Sequence, residues 1–268
     1  MSLLRSCRLE REAVASWDEF PFSVPIISSF EAMDFDAPVT FLVGENGCGK
    51  STLLEALGVA AERVAVGSED LARDPSLDAA RALGERLELT WNRKTARGFF
   101  LRAEDFFGYA KRIAGLAAEA RRELARVESE YAERSDYARA LARGPHAKTL
   151  AEMEALYGEG LDAQSHGESF LKLFESRLVA GGLYFLDEPE VPLSPLRQLA
   201  LLALLRDAAA DGSQFVIATH SPILLALPGG AIWNCDAAPP EVVGWDDLEH
   251  VTLTRSFLNN PENFLQRL

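Results

Sequence analysis

Thr40-Phe41-Leu42-Val43-Gly44-Glu45-Asn46-Gly47-Cys48-Gly49-Lys50-Ser51-Thr52 is the stretch that decides the fold. It holds a complete G-x-x-x-x-G-K-[ST] pattern. An apolar, β-prone run precedes the pattern, and the helix-forming Leu53-Leu54-Glu55-Ala56-Leu57 follows it. Strand, glycine-rich turn and helix in that order are the setting in which the pattern has a mechanism. Gly44, Gly47 and Gly49 let the backbone curl so that successive N–H groups face one anion. The helix that begins there adds its positive end. Lys50 brings a point charge to the β- and γ-phosphates of a nucleotide, and Ser51 brings a hydroxyl to its Mg²⁺.

Composition narrows the class. A hydrophobic content of 48% in 268 residues suits a globular core. No apolar run approaches the roughly 20 residues that span a bilayer. The start, Met1-Ser2-Leu3-Leu4-Arg5-Ser6-Cys7-Arg8, is broken by arginine and has no secretory h-region. Three scattered cysteines, Cys7, Cys48 and Cys235, fit a reducing cytoplasm better than a disulfide framework. Cys48 lies near a helix start and near Lys50, so it is either a small filler of the loop or a redox-sensitive thiol. A net charge of −14 argues against a chain that coats nucleic acid over its whole surface. The segment Arg81 to Lys148 nevertheless holds 15 of the 27 Lys/Arg and only 10 of the 41 Asp/Glu. Two readings of it stand, a solvated helical face and a weak nucleic-acid contact.

The periodicity predicts a β-rich segment over 1–43, with Phe22 to Ile27 and Met33 to Phe35 in short runs and Val39 to Val43 as a buried strand. A helix is expected over 50–66 and another from Asp78 to Glu85. Leu87 to Trp91 alternates like a strand, and Gly98 to Arg102 reads as its hairpin partner across the Thr95-Ala96-Arg97 turn. From Ala103 to Arg143 an apolar stripe, Phe106, Tyr109, Ile113, Leu116, Ala120, Leu124, Val127 and Tyr131, marks a helix that Gly144-Pro145 ends. The stripe either seats the helix on a subdomain or forms a short antiparallel arm. Leu183 to Leu186 and Gln214 to Thr219 are apolar strands, and Ser194-Pro195 opens the helix between them. The expected fold is α/β: one domain over 1–268 with a mostly parallel sheet, an antiparallel N-terminal part and a helical subdomain near 103–178.

Asp187 and Glu188 end an apolar strand. Asp187 is placed to hold Mg²⁺, and Glu188 to orient and polarise an attacking water. His220 leaves the next strand at the edge where open α/β sheets take ligands, and there it is placed to donate to a γ-phosphate. The succession of phosphate loop, strand-Asp-Glu and strand-His resembles the ABC-type ATPases, above all the RecF/SMC-like branch that goes under the AAA label. Gly44 to Glu55, Leu186-Asp187-Glu188-Pro189-Glu190 and Ala218-Thr219-His220-Ser221-Pro222 carry the likeness. Ser165-His166-Gly167-Glu168-Ser169 stands where that family has its signature loop, with Ser165 and Gly167 fitting and Glu168 replacing a polar position. Leu193-Ser194-Pro195 stands at the D-loop, with Ser194 in place of the usual Asp.

The resemblance implies ATP and Mg²⁺ as ligands, and a head-to-tail homodimer that closes on two ATP molecules. Each ATP would lie between one copy's Gly44–Thr52 loop and the other's Ser165, Gly167 and Glu168. One departure stands out. The family has a Gln near Mg²⁺ before the signature, and Leu53 to Ala163 contains none. Glu104 is the expected substitute as an oxygen ligand, or it merely opens the next helix. The expected activity is Mg-dependent ATP hydrolysis in the cytoplasm, with a role in DNA metabolism or genome defence. The alternative is the ATP-binding subunit of a membrane transporter, which would need a permease partner. No Asn/Thr-Lys-x-Asp guanine motif supports a GTPase.

Overall fold

Val39–Val43 (β3) is buried at all five positions, as a strand covered on both faces must be. A computed structural model describes residues 2–65, 77–157 and 166–266. In it β3 lies within a six-stranded sheet of order β5-β6-β7-β3-β8-β9, where β5 is Phe100–Arg102, β6 Leu183–Asp187, β7 Gln214–Ala218, β8 Ala231–Asn234 and β9 Glu241–Val243. All neighbours run parallel except β8 and β9. A second, three-stranded antiparallel sheet of order β2-β1-β4 joins Ala32–Asp34 (β2), Leu4–Leu9 (β1) and Leu87–Trp91 (β4).

Two apolar layers enclose the main sheet. On one face Leu42, Phe185, Val216 and Ala218 meet helix α2 (Lys50–Ala60) and the antiparallel sheet. On the other, Phe41, Tyr184, Leu186, Phe215 and Ile217 meet α6 (His166–Arg177), α7 (Pro195–Ala210) and α8 (Pro222–Leu225). An aromatic chain ties the helices between β5 and β6 to this second face. Tyr184 touches Phe215 at 5.0 Å and Phe99 at 4.9 Å, Phe99 reaches Phe174 at 6.1 Å, and Phe170 meets Phe106 at 5.0 Å.

Four local expectations need correction. Pro25–Ser29 forms a short helix, α1, because Pro25 pre-sets a helical first turn. Helix α2 stops at Ala60, and Ala65 bridges to Phe100. Strand β5 is not the partner of β4. It pairs in parallel with β6, and β4 pairs with β1. Its residues are buried throughout rather than on alternate sides, and Gly98, at φ 119°, lets the chain pass so close to β6 that a Cβ would lie 1.8 Å from the Leu183 carbonyl oxygen. The long helical stretch breaks at 131–135 instead of Gly144-Pro145. Helix α4 (Ala103–Glu130) and helix α5 (Asp136–Tyr157) form a hairpin clasped by Arg143 and Glu128 at 2.6 Å. Ser135 caps α5 through the Ala138 N–H, and Pro145 sits inside the helix. Phe106 seats the start of α4, whereas Leu116 is 44% exposed. The stripe therefore both seats the helix and forms an arm.

A buried amide joins the two sheets. Gln214 on β7 accepts from the Leu3 and Leu4 N–H groups at 2.8 and 2.7 Å, and its Nε2 donates to the Leu4 carbonyl at 2.9 Å. Replacing Gln214 by Leu leaves these backbone groups without partners, so the chain is predicted to lose about 2–4 kcal/mol in urea unfolding. A loss below about 0.5 kcal/mol would show that the amide does not hold the sheets together.

Candidate functional site

The loop between β3 and α2 is shaped for a phosphate. Gly44, Gly47 and Gly49 all have positive φ, at 152°, 85° and 107°. At Gly49 a Cβ would meet Ile26 at 2.6 Å and Val24 at 2.7 Å, so α1 presses directly on the loop. Lys50 is only 5% exposed. Its Nζ donates to the Gly44 and Glu45 carbonyls at 2.7 and 3.0 Å, which keeps a buried ammonium satisfied until a stronger anionic acceptor arrives.

Ser51 and Asp187 meet across the site. Ser51 Oγ donates to Asp187 Oδ1 at 3.1 Å. Asp187 ends β6 in register with Ala218 of β7 and Arg102 of β5. Burial pushes its carboxyl up to about 7; Ser51 and Arg102 oppose that, while Glu55 and Glu188 add to it. Arg102 also pairs with Glu55 of α2 at 2.8 Å, with both side chains largely covered. Glu188 follows at φ 49°, a strained value for a residue with a Cβ, and its N–H is fixed to the Ala218 carbonyl at 2.9 Å. Ser51, Glu55, Arg102, Ala103, Asp187, Glu188 and Val191 line an open cavity of about 400 Å³.

His220 is held from behind. Its N–H donates to Glu190 Oε1 at 2.7 Å. The Thr219 hydroxyl also bonds Glu190, whose carboxyl is raised chiefly by burial. Ser221 caps α8 through the Leu224 N–H at 3.1 Å and donates to Gln198 Oε1 of α7 at 2.6 Å. On the far side of the loop, Asp236 after β8 accepts from the Glu45 N–H at 2.7 Å.

Lys50, Ser51, Asp187, Glu188 and His220 thus come to one edge of the sheet. Gly167 and Glu168 lie elsewhere, at the start of α6. A Cβ on Gly167 would approach the Pro192 carbonyl to 2.7 Å, and Glu168 pairs with Arg197 of α7 at 3.6 Å. Ser165 lies outside the described residues. Glu104 is the second residue of α4, and its side chain also lies outside what is described. The sequence reading assigned no role to Arg102, Glu190, Gln198 or Asp236. Glu190 was visible beside Asp187-Glu188, but its bond to His220 joins two strands and has no local signature.

The donors suit Mg²⁺ with ATP. Ser51 and Asp187 offer hard oxygens side by side, and the only partly compensated burial of Asp187 favours a cation. Among the described residues no group of three or more His, Cys, Asp or Glu forms a metal cage. Among the described residues, no helix is long and apolar enough to cross a membrane.

Residues 67–226, well over half the chain, match the family described as AAA domain, candidate AbiEii toxin, type IV TA system, and residues 23–69 match a further AAA domain family. The cobalt import ATP-binding protein CbiO of Salmonella typhimurium is 27% identical over 239 residues, covering 84% of this chain and 81% of that protein. CbiO of Salmonella typhi is 26% identical over 238 residues with the same coverage. Among solved structures, the Smc head domain of Pyrococcus furiosus, bound to the C-terminal domain of ScpA, aligns over 98% of this chain and all of its own at 11% identity and a TM-score of 0.45. A candidate metal-chelate type ABC transporter in an inward-facing conformation aligns over 82% of this chain and 78% of its own at 18% identity and a TM-score of 0.45.

The buried carboxyl carries a pH signature. Burial lifts the Asp187 carboxyl from its ordinary value of 3.8 to about 7 in the folded chain. Between those values the folded chain keeps a proton that the unfolded chain has released, so stability falls as pH rises through that window. Without nucleotide or divalent ions, Asp187→Asn is therefore predicted to be more stable than the parent at pH 8 by about 1–4 kcal/mol. The difference should close toward pH 4. Equal unfolding midpoints at pH 8 would contradict the role given to burial.

Proposed function

The chain belongs to the AAA domain family, and from that premise we propose that it is an ABC-type P-loop ATPase that binds Mg-ATP at Gly44–Thr52 and hydrolyses it as a dimer switch. The observation that carries the reading is the 3.1 Å bond between Ser51 and Asp187, two residues 136 positions apart. It brings the phosphate loop and the acidic strand end to one point. In this reading Lys50 exchanges its two carbonyl partners for phosphate oxygens. Ser51 and Asp187 would hold Mg²⁺, which would supply neutralisation of the β- and γ-phosphate charge. Glu188, which lines the cavity and whose backbone N–H is tied to Ala218, orients the attacking water and accepts its proton. His220 donates to the γ-phosphate. Glu104 takes the position of the missing Gln beside the ion, and Arg102 balances the surrounding carboxylates.

A second copy completes the site with Ser165, Gly167 and Glu168. In support, Val191, Leu196 and Leu199 beside the acidic loop are 58%, 77% and 53% exposed, an apolar rim that a partner would cover. The family likeness favours coupling of this switch to DNA metabolism or genome defence. The similarity to CbiO supports a second reading, an ATP-binding subunit of a transporter. ATPase stimulation by DNA would support the first, and co-purification with a permease the second.

Lys50→Ala is predicted to weaken ATP binding at least about 100-fold, because a buried charge–phosphate contact is lost. Glu188→Gln should retain binding, hydrolyse at least about 100-fold more slowly, and accumulate as an ATP-bound dimer. Fluorescent-nucleotide titration, phosphate release and light scattering check the three outcomes. A purely monomeric Glu188→Gln with saturating ATP would rule out the switch.

A further inference from the structure

The C-terminal segment brings a second histidine to the nucleotide site. The turn Trp245–Asp247 leads into helix α9 (Glu249–Asn259). Trp245 Nε1 donates to the Pro222 carbonyl at 3.0 Å, two residues after His220. Arg255 packs on the Trp245 ring at 4.9 Å and pairs with Asp246 at 2.6 Å, so the turn is braced from α9. Leu248 and Val251 are buried in one cluster with Leu224 and Leu225 of α8. Between those two anchors lies His250.

Two imidazole nitrogens remain without protein partners here. Nε2 of His220 and Nε2 of His250 are both buried and make no hydrogen bond. Buried polar atoms are seldom left so unless a ligand or a catalytic role explains them. The charged groups around His250 come from three elements: His220 after β7, Glu45 in the phosphate loop and Asp236 after β8. Burial holds the His250 ring below the usual histidine range, His220 adds to that, and the two carboxylates oppose it.

We infer that His250 is a positioning residue for His220: α9 sets its imidazole beside the switch histidine, on the Glu45 side of the phosphate loop, and restricts the orientation of the His220 ring. The inference rests on the ATPase reading for its consequence and on the C-terminal packing for its existence. A ring held at that place limits the rotation of the His220 imidazole, which must present an N–H to the γ-phosphate. The last helix then reports on the nucleotide, because any shift of α9 moves the His250 ring.

The test separates the two layers. The chain has four histidines, His146, His166, His220 and His250, so their ring signals in ¹H–¹⁵N spectra of the full chain can be assigned by substitution. Without any nucleotide, His220→Ala should move the His250 signals and raise its titration midpoint, leaving His146 and His166 unchanged. An unmoved His250 overturns the pairing. In turnover, His250→Ala should lower kcat about tenfold or more with KM for Mg-ATP within about threefold, and His250→Gln should restore part of the rate. His220→Ala combined with His250→Ala should be no slower than His220→Ala alone. Additive losses, or an unchanged kcat in a folded His250→Ala, overturn the positioning role. A parent chain that shows the ring coupling but no ATP turnover would instead defeat the ATPase reading and leave the pair standing.

Discussion

Strand β7 lies between β3 and β6, so two interstrand spacings of about 5 Å each separate the loop that carries Lys50 from the strand end that carries Asp187. That separation shapes the whole edge. It lets Ser51 reach Asp187 side chain to side chain, and it places His220, leaving β7, between the two. The sheet is buried on both faces, so polar chemistry is confined to the strand ends. Each functional group then has a fixed address: two at the head of α2, two at the end of β6 and one at the end of β7.

Charge at this edge is dense and poorly hydrated. Lys50, Asp187 and Arg102 are all nearly covered. Each is compensated by a specific partner: loop carbonyls for Lys50, the Ser51 hydroxyl for Asp187 and Glu55 for Arg102. Asp187 is compensated least, which is why its carboxyl is pushed toward neutrality, and why the site has most to gain from a cation. The strained backbone of Glu188 belongs to the same economy. A residue at φ 49° persists because its N–H is tied to β7. An outer layer formed by Glu190, Gln198 and Asp236 holds backbone and loops instead of a ligand. It gives His220 and the phosphate loop their fixed placement.

Much of this was legible along the chain. The strand–loop–helix unit at Val39 to Ala60, the acidic strand Leu183 to Asp187 and the strand before His220 each declare themselves within a few residues. Their signals are local: glycines where φ must be positive, an unbroken apolar run where both faces are buried, and carboxylates where that run stops. The parallel order of these units followed from strand–helix–strand alternation. Local rules misled where the outcome depended on a distant partner. Gly98 to Arg102 looked like a hairpin arm because a turn precedes it, yet its buried residues find β6. Gly144-Pro145 looked like a helix end, yet the fold breaks at 131–135, where α5 can turn back along α4.

The sequence by itself determined the glycine-rich loop, the strand-end carboxylates and the strands that carry them, because hydrophobic runs and glycine positions are short-range constraints. Only the tertiary structure decided which of those groups meet, what stands behind them and how strongly each is charged. Arg102 became a neighbour of Asp187 through strand register, Gln214 a tie between sheets through burial, and α9 a neighbour of α8 through the packing of Leu248 and Val251. Those contacts join residues that nothing in their own surroundings marks. Burial and cross-strand distance fix their energies, and neither exists until the sheet has closed.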